Sequence, residues 1–142
     1  MTQQNARTNF AGTSPWEPVV GYSRAVRVGP HVHVAGTTAT RDGVVLFPGD
    51  AGAQARAALC IIAGALAQAG AELRHVVRTR IYVKDISQWE AVGRAHGEVF
   101  GEVRPACSMV QVSGLIDPLH LVEIEADAYV WDEAGRSTAS GG

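Results

Sequence analysis

Residues 120–130 read HLVEIEADAYV, and the alternation within them decides the fold. Val122, Ile124, Ala126, Ala128 and Val130 fall on one face of an extended chain, and Leu121, Glu123, Glu125, Asp127 and Tyr129 on the other. The apolar face needs cover. The acidic face resists burial unless each charge finds a partner. Such a strand belongs to a sheet with helices on one side only, and the rest of the chain supplies both. Val19 to Val28 and His31 to Gly36 alternate around Gly29-Pro30, which predicts an antiparallel hairpin, and Val44, Val45 and Leu46 add a short third strand. Asp50 is placed to cap a helix whose buried stripe is Ala55, Leu59, Ile62, Leu66 and Ala69, with Gly70 as its stop. Its alanines and glycines suit a helix lying flat on a sheet.

Val76 to Lys84 then reads as a strand with Val77, Thr79, Ile81 and Val83 on one face. Ser87-Gln88-Trp89-Glu90 fits a capping box opening a second helix, with Trp89, Val92, His96 and Val99 as its stripe and Gly101 as its end. Ala106 to Val112 supplies the penultimate strand. The expectation is an α+β domain, one sheet with two helices packed on the same face. Residues 1–15 and 134–142, polar and without apolar periodicity, are expected to be flexible tails around a single domain at 16–133. The mixed face of the sheet is left either solvated or packed against copies of itself.

Composition narrows the function classes. The 142 residues carry 12 Lys+Arg and 14 Asp+Glu, a formal net charge of −2, which offers no field for a nucleic-acid partner. At 46% hydrophobic and 18% charged the chain suits a folded core. No run approaches the roughly 18 apolar residues of a membrane helix, and the polar start lacks a signal peptide, so a cytoplasmic location without membrane partner is expected. Cys60 and Cys107 are too few for a disulfide scaffold. Lys84 is the only Lys, so an anion site here would use Arg.

Few residues are candidates for chemistry. Glu123, Glu125 and Asp127 crowd one strand face at about 7 Å spacing, and crowded carboxylates raise one another's pKa. The other reading is an ordinary solvated face. His31 and His33 could seat a metal, but no third ligand stands at a recognisable offset, so no metal is expected. His75, His96 and His120 stand singly and read as surface residues. Cys60 and Cys107 read as packing residues, since nothing nearby guarantees a depressed thiol pKa. Tyr22 and Arg24, two apart on the first strand, could present a phenol and a guanidinium to one ligand carboxylate, the other reading being an exposed pair on an edge strand. No nucleotide-binding or hydrolase motif occurs.

From Val19 to Val130 the chain resembles the RidA family, also called the YjgF/YER057c/UK114 family. The matching pieces are Gly21-Tyr22, Val34-Ala35-Gly36, Ala53-Gln54-Ala55, Val83-Lys84-Asp85, Arg104-Pro105-Ala106 and Val122-Glu123-Ile124-Glu125-Ala126. The resemblance implies a chorismate-mutase-like α+β fold with a mixed sheet. It also implies a homotrimer whose sheets form a central barrel, with ligand clefts between subunits. Many members hydrolyse reactive enamines and imines, such as 2-aminoacrylate, to ketoacids and ammonia without a cofactor. Tyr22 falls on the family's pocket Tyr and Glu123 on the Glu thought to position the attacking water. Cys107 stands where the family's carboxylate-holding Arg follows Pro-Ala, and Ala35 where a Ser is frequent.

Residues Gly21 to Val26 and Leu121 to Ala128 place the chain nearer a branch whose members often lack that Arg. The site set implied is Glu123 as catalytic residue, with Tyr22, Arg24, Ala35, Gly36, Trp89 and Cys107 as ligand-binding residues. Two functions compete: a trimer that binds a small carboxylate-bearing metabolite without efficient imine deamination, and an enamine or imine deaminase whose carboxylate anchor has moved to Arg24. Arg104 is the weaker anchor, because it leaves its strand on the opposite face. A nucleic-acid-acting protein, an older label for the family, fits the charge poorly.

Overall fold

A computed structural model describes residues 6–131 of the chain. The segment predicted to close the sheet does so as strand β8 (Val122–Tyr129), with Val122, Ile124, Ala126 and Ala128 buried. Its neighbours are β3 (His31–Thr37) on one side and β6 (Val76–Val83) on the other, both antiparallel. Outward from β3 lie β2 (Ala25–Val28) and β1 (Arg7–Phe10). Outward from β6 lies β7 (Ala106–Gln111), which runs parallel to it. The result is a mixed six-stranded sheet in the order β1-β2-β3-β8-β6-β7. A small separate hairpin, β4 (Thr40–Arg41) with β5 (Val44–Val45), accounts for the expected short third strand.

Two main helices cover the apolar face. In α2 (Ala51–Gln68) the Asp50 carboxylate accepts the Ala53 N–H at 3.0 Å, as its position predicts, and Ala55, Leu59, Ile62 and Leu66 are buried against β3 and β8. Gly70, at φ +79°, supplies the left-handed residue beyond its end. Helix α3 (Trp89–Phe100) packs beside α2 through Val92, Ala95 and Phe100.

Five expectations are corrected. Residues 7–10 are not a frayed tail: Arg7–Phe10 pairs with Ala25–Val28 along the sheet edge, because backbone pairing needs no apolar periodicity. The expected 134–142 tail lies outside the described residues. Val19 and Val20 belong not to a strand but to a short helix, α1 (Trp16–Val20), ended by Gly21 at φ +86°. A register shift between Val76 and Arg78 turns Val77 outward and puts Val76 in the core beside Thr79, Ile81 and Val83. The capping box at Ser87 does not form. Asp85 accepts both the Ser87 N–H at 3.0 Å and its hydroxyl at 2.7 Å, starting a short turn over Ile86–Gln88 before α3. Trp89 consequently sits on the outer side of α3, 58% exposed, rather than in its stripe.

Gly64 lies in the exposed interior of α2, with nothing within 4 Å of where a Cβ would stand. Gly64→Ala should therefore stabilise the fold by about 0.5–1 kcal/mol through helix propensity alone. A rise in the urea midpoint at unchanged slope is the expected result.

Candidate functional site

Strand β3 does not keep regular register with β8 where it passes Glu123. Between Val34 and Thr37 its pairing with β8 shifts, and the irregularity contains Ala35 and Gly36. A Cβ on Gly36 would stand 2.2 Å from a carboxylate oxygen of Glu123. Only glycine lets that carboxylate lie over the backbone of β3. Arg24 fastens the same bulge from the other side. Its guanidinium donates to the Gly36 carbonyl at 2.7 Å, and its own carbonyl accepts the Ala35 N–H at 3.0 Å.

Tyr22 and Arg24 do not share a strand face, since both precede β2 in irregular chain behind Gly21. They still converge. The Arg24 guanidinium lies 5.8 Å from the centre of the Tyr22 ring, within cation–π range, and the Tyr22 hydroxyl donates to Ser14 at 3.0 Å. Ser14 belongs to a loop closed by Glu17, a buried carboxylate that accepts the Gly12 N–H at 3.0 Å and the Ser14 N–H at 3.3 Å. The loop, the bulge and the β4–β5 hairpin enclose a cleft of about 650 Å³, into which Tyr22, Arg24, Ala35, Gly36 and Glu123 face.

The electrostatics distinguish Glu123 from its neighbours on β8. Burial pushes its pKa up, the negative charge of Glu125 adds to the rise, and the Arg24 charge opposes it. Glu125 instead accepts from the Tyr82 hydroxyl at 3.0 Å, and Arg80 reaches both Glu125 at 3.4 Å and Asp127 at 3.0 Å. Asp127 is also paired with His33 at 2.7 Å, while His31 stacks edge-on against Tyr129. The acidic row is thus one cleft carboxylate and two structural ones. Among the described residues no group of three or more His, Cys, Asp or Glu is placed to hold a metal ion.

The remaining candidates separate from the cleft. Cys107 is exposed on β7, at the far edge of the sheet, and Cys60 is exposed on α2, so neither is the packing residue expected. Trp89 also lies away from the cleft within this chain. Arg104, at φ +54°, folds back to donate to the Gly101 carbonyl at the end of α3. The single histidines are not surface residues. His75 and His120 are buried, and His96, half-buried, meets the Thr79 hydroxyl at 2.9 Å. Burial lowers the pKa of all three.

Sequence reasoning missed Glu17 and the structural role of Gln54. Gln54 is fully buried, and its amide donates to the Leu119 carbonyl at 3.0 Å and accepts the Leu121 N–H at 2.8 Å. The usable signal was a polar residue on the stripe of α2, four before Ala58 and eight before Ile62.

The Endoribonuclease L-PSP family matches residues 12–130. The crystal structure of Rv2704 from Mycobacterium tuberculosis, a member of the YjgF/YER057c/UK114 family, is similar with a TM-score of 0.80 and 57% identity, covering 88% of this chain and 100% of that one. An uncharacterized protein of Streptomyces coelicolor is 40% identical over 129 residues, 91% of this chain and 96% of that protein. The 3-aminoacrylate deaminase RutC of Acinetobacter baylyi is 36% identical over 120 residues, 84% of this chain and 93% of that protein. No helix among the described residues is long and apolar enough to cross a membrane.

The raised pKa of Glu123 gives a prediction with a definite sign. A carboxyl held above its unfolded value destabilises the fold only when ionised. The penalty is absent below the unfolded pKa, sets in as pH rises through it, and is complete above the raised folded value. Glu123→Gln should therefore be more stable than the wild type at pH 7, with the gap closing on acidification. A gap that widens towards acid would contradict the assignment.

Proposed function

The chain belongs to the RidA family, also called the YjgF/YER057c/UK114 family, and on that premise we propose that it binds a small carboxylate-bearing metabolite in the cleft at Tyr22, Arg24 and Glu123, without efficient imine deamination. The observation that carries this is the state of Arg24. It faces the cleft, bonds a backbone carbonyl rather than an acid, and keeps one buried nitrogen, Nε, unpartnered. A cation held beside a carboxylate that resists ionisation suits a ligand that brings its own negative charge.

The proposed active assembly is a homotrimer in which a neighbouring copy completes the cleft. Strand β7 supports this. It forms one edge of the sheet with Ala106, Cys107, Ser108 and Val110 exposed, and an uncovered edge strand is ready to pair with another chain. Cys107 and Trp89 would meet a ligand only across that interface. At the family's carboxylate-holding position the Cys107 side chain is a weak donor without the paired N–H groups of a guanidinium, consistent with the branch that lacks the Arg. Losing a charge-assisted contact of about 1.5–3 kcal/mol removes at least about tenfold in binding.

A second reading, an enamine or imine deaminase anchored by Arg24, is favoured by the environment of Glu123. Hydrolysis of an enamine needs a proton delivered to carbon, then water added to the resulting imine carbon, then departure of ammonia. A carboxyl with a raised pKa holds such a proton nearer neutral pH and, once ionised, accepts one from water.

Ammonia release from freshly generated 2-aminoacrylate and from 3-aminoacrylate separates the two. The expected outcome is a wild-type rate near the uncatalysed one and a gain in Cys107→Arg. Substantial wild-type turnover that disappears in Arg24→Ala would select the deaminase. Light scattering after gel filtration should give a mass three times that of the single chain, and a stable monomer would overturn the shared cleft.

A further inference from the structure

One wall of the cleft carries a polar relay that neither reading uses. Thr38 and Thr40 both line the cleft, and their hydroxyls are 2.9 Å apart. The Thr40 hydroxyl meets Nε2 of His120 at 2.7 Å. His120 is fully buried, with the Trp16 ring edge-on at 6.3 Å, and its Nδ1 is buried without a hydrogen-bond partner. The backbone on both sides of His120 is held: Gln54 bonds the Leu119 carbonyl and the Leu121 N–H, and the His120 N–H donates to the Asp117 carbonyl at 3.0 Å. Fixing an imidazole this firmly at the end of two hydroxyls gives the relay a direction.

That direction follows from accounting for one proton. Burial favours the neutral ring, which the charge of Asp117 only partly opposes. A neutral imidazole has one N–H, and a buried N–H without an acceptor is rarer than a bare lone pair. The proton therefore sits on Nε2 and is donated to Thr40. Thr40 in turn donates to Thr38, whose own O–H is left to point outward. We propose that Thr38 is an oxygen-seeking donor subsite of the cleft, oriented by Thr40 and His120, which takes the carbonyl oxygen of a 2-oxo acid while Arg24 takes its carboxylate. The division suits the two donors, a neutral hydroxyl for a neutral carbonyl and a guanidinium for an anion. Thr38 is the contacting residue, and His120 is a positioning residue. This subsite rests on the carboxylate-binding reading of the cleft.

The test uses pyruvate and propionate, which share a carboxylate and chain length but differ in the keto oxygen. Calorimetry of the wild type should show tighter binding of pyruvate, by about fivefold for one neutral hydrogen bond. Thr38→Val, close in shape, should abolish that preference with propionate affinity unchanged, whereas Arg24→Ala should weaken both ligands. His120→Leu should also abolish the preference. His120→Gln, which can carry an amide N–H to the Nε2 position, should restore it, an outcome a merely structural histidine would not produce. Equal wild-type affinity for the two acids, or a preference surviving Thr38→Val, would overturn the subsite while leaving the carboxylate reading intact. Binding of neither acid by the wild type would overturn that reading and the subsite with it. Should His120→Leu fail to fold, Thr40→Val interrupts the same relay, and an unchanged preference there would refute the proposal equally.

Discussion

A carboxylate occupies the space that a side chain at position 36 would need. Glu123 comes so close to Gly36 that no Cβ fits between them, and the consequences run outward in both directions along β3. The pairing with β8 slips at Ala35 and Gly36, and the freed Gly36 carbonyl is taken by Arg24. Holding Arg24 there draws Tyr22 beside it, and Tyr22 reaches Ser14 in the loop closed by Glu17. The cleft is in this sense the far edge of a single close contact. Lengthening residue 36 by one methyl group would require the Glu123 carboxylate to move from its place over β3.

The two faces of the sheet answer to different physics. Beneath α2 and α3 the core is alanine, valine, isoleucine and leucine, and burial alone specifies which residues face inward. On the other face the strands meet through charged and polar side chains. Arg80 lies directly across from Glu125, Tyr82 from Glu123, and His33 from Asp127. The ion pairs among them are half-exposed, so each contributes little by itself. A charged face organised in this way leaves β7, at the border, as the strand whose side chains are least occupied within the chain.

Periodic burial was legible in the sequence, and what depended on single contacts was not. The alternation of residues 122–130 and the stripe of α2 appear as read, because each repeats one physical preference many times. Val77 was misplaced because a bulge costs one residue and leaves no mark on the pattern. The Ser87 cap gave way to Asp85, whose carboxylate is the stronger acceptor and takes both the Ser87 N–H and the Ser87 hydroxyl. Val19 and Val20 read as a strand by composition, yet the positive φ open to Gly21 lets a short helix end there. Of the candidate site, Tyr22, Arg24, Ala35, Gly36 and Glu123 gather in the cleft, while Trp89 and Cys107 do not within one chain. A single sequence shows adjacency along the chain, and these two positions can be joined to the cleft only through another surface.

Glu123 and Glu125 are the same residue type, two apart on the same face of the same strand, and they end in opposite conditions. Glu125 has a phenol within 3.0 Å and a guanidinium within 3.4 Å. Among the described residues Glu123 has no hydrogen-bond donor on its carboxylate, and its one cation acts at longer range against burial and the charge of Glu125. The structure therefore spends its local donors on the acid that holds the sheet together and withholds them from the acid that faces the cleft. An unsatisfied carboxylate is costly, and a fold tolerates that cost where the group has another partner to meet. The same logic applies across the cleft, where Arg24 keeps a nitrogen unpartnered. Two opposite charges left under-satisfied on one cavity, yet not paired with each other, support the proposal that the cleft takes a ligand with a negative end.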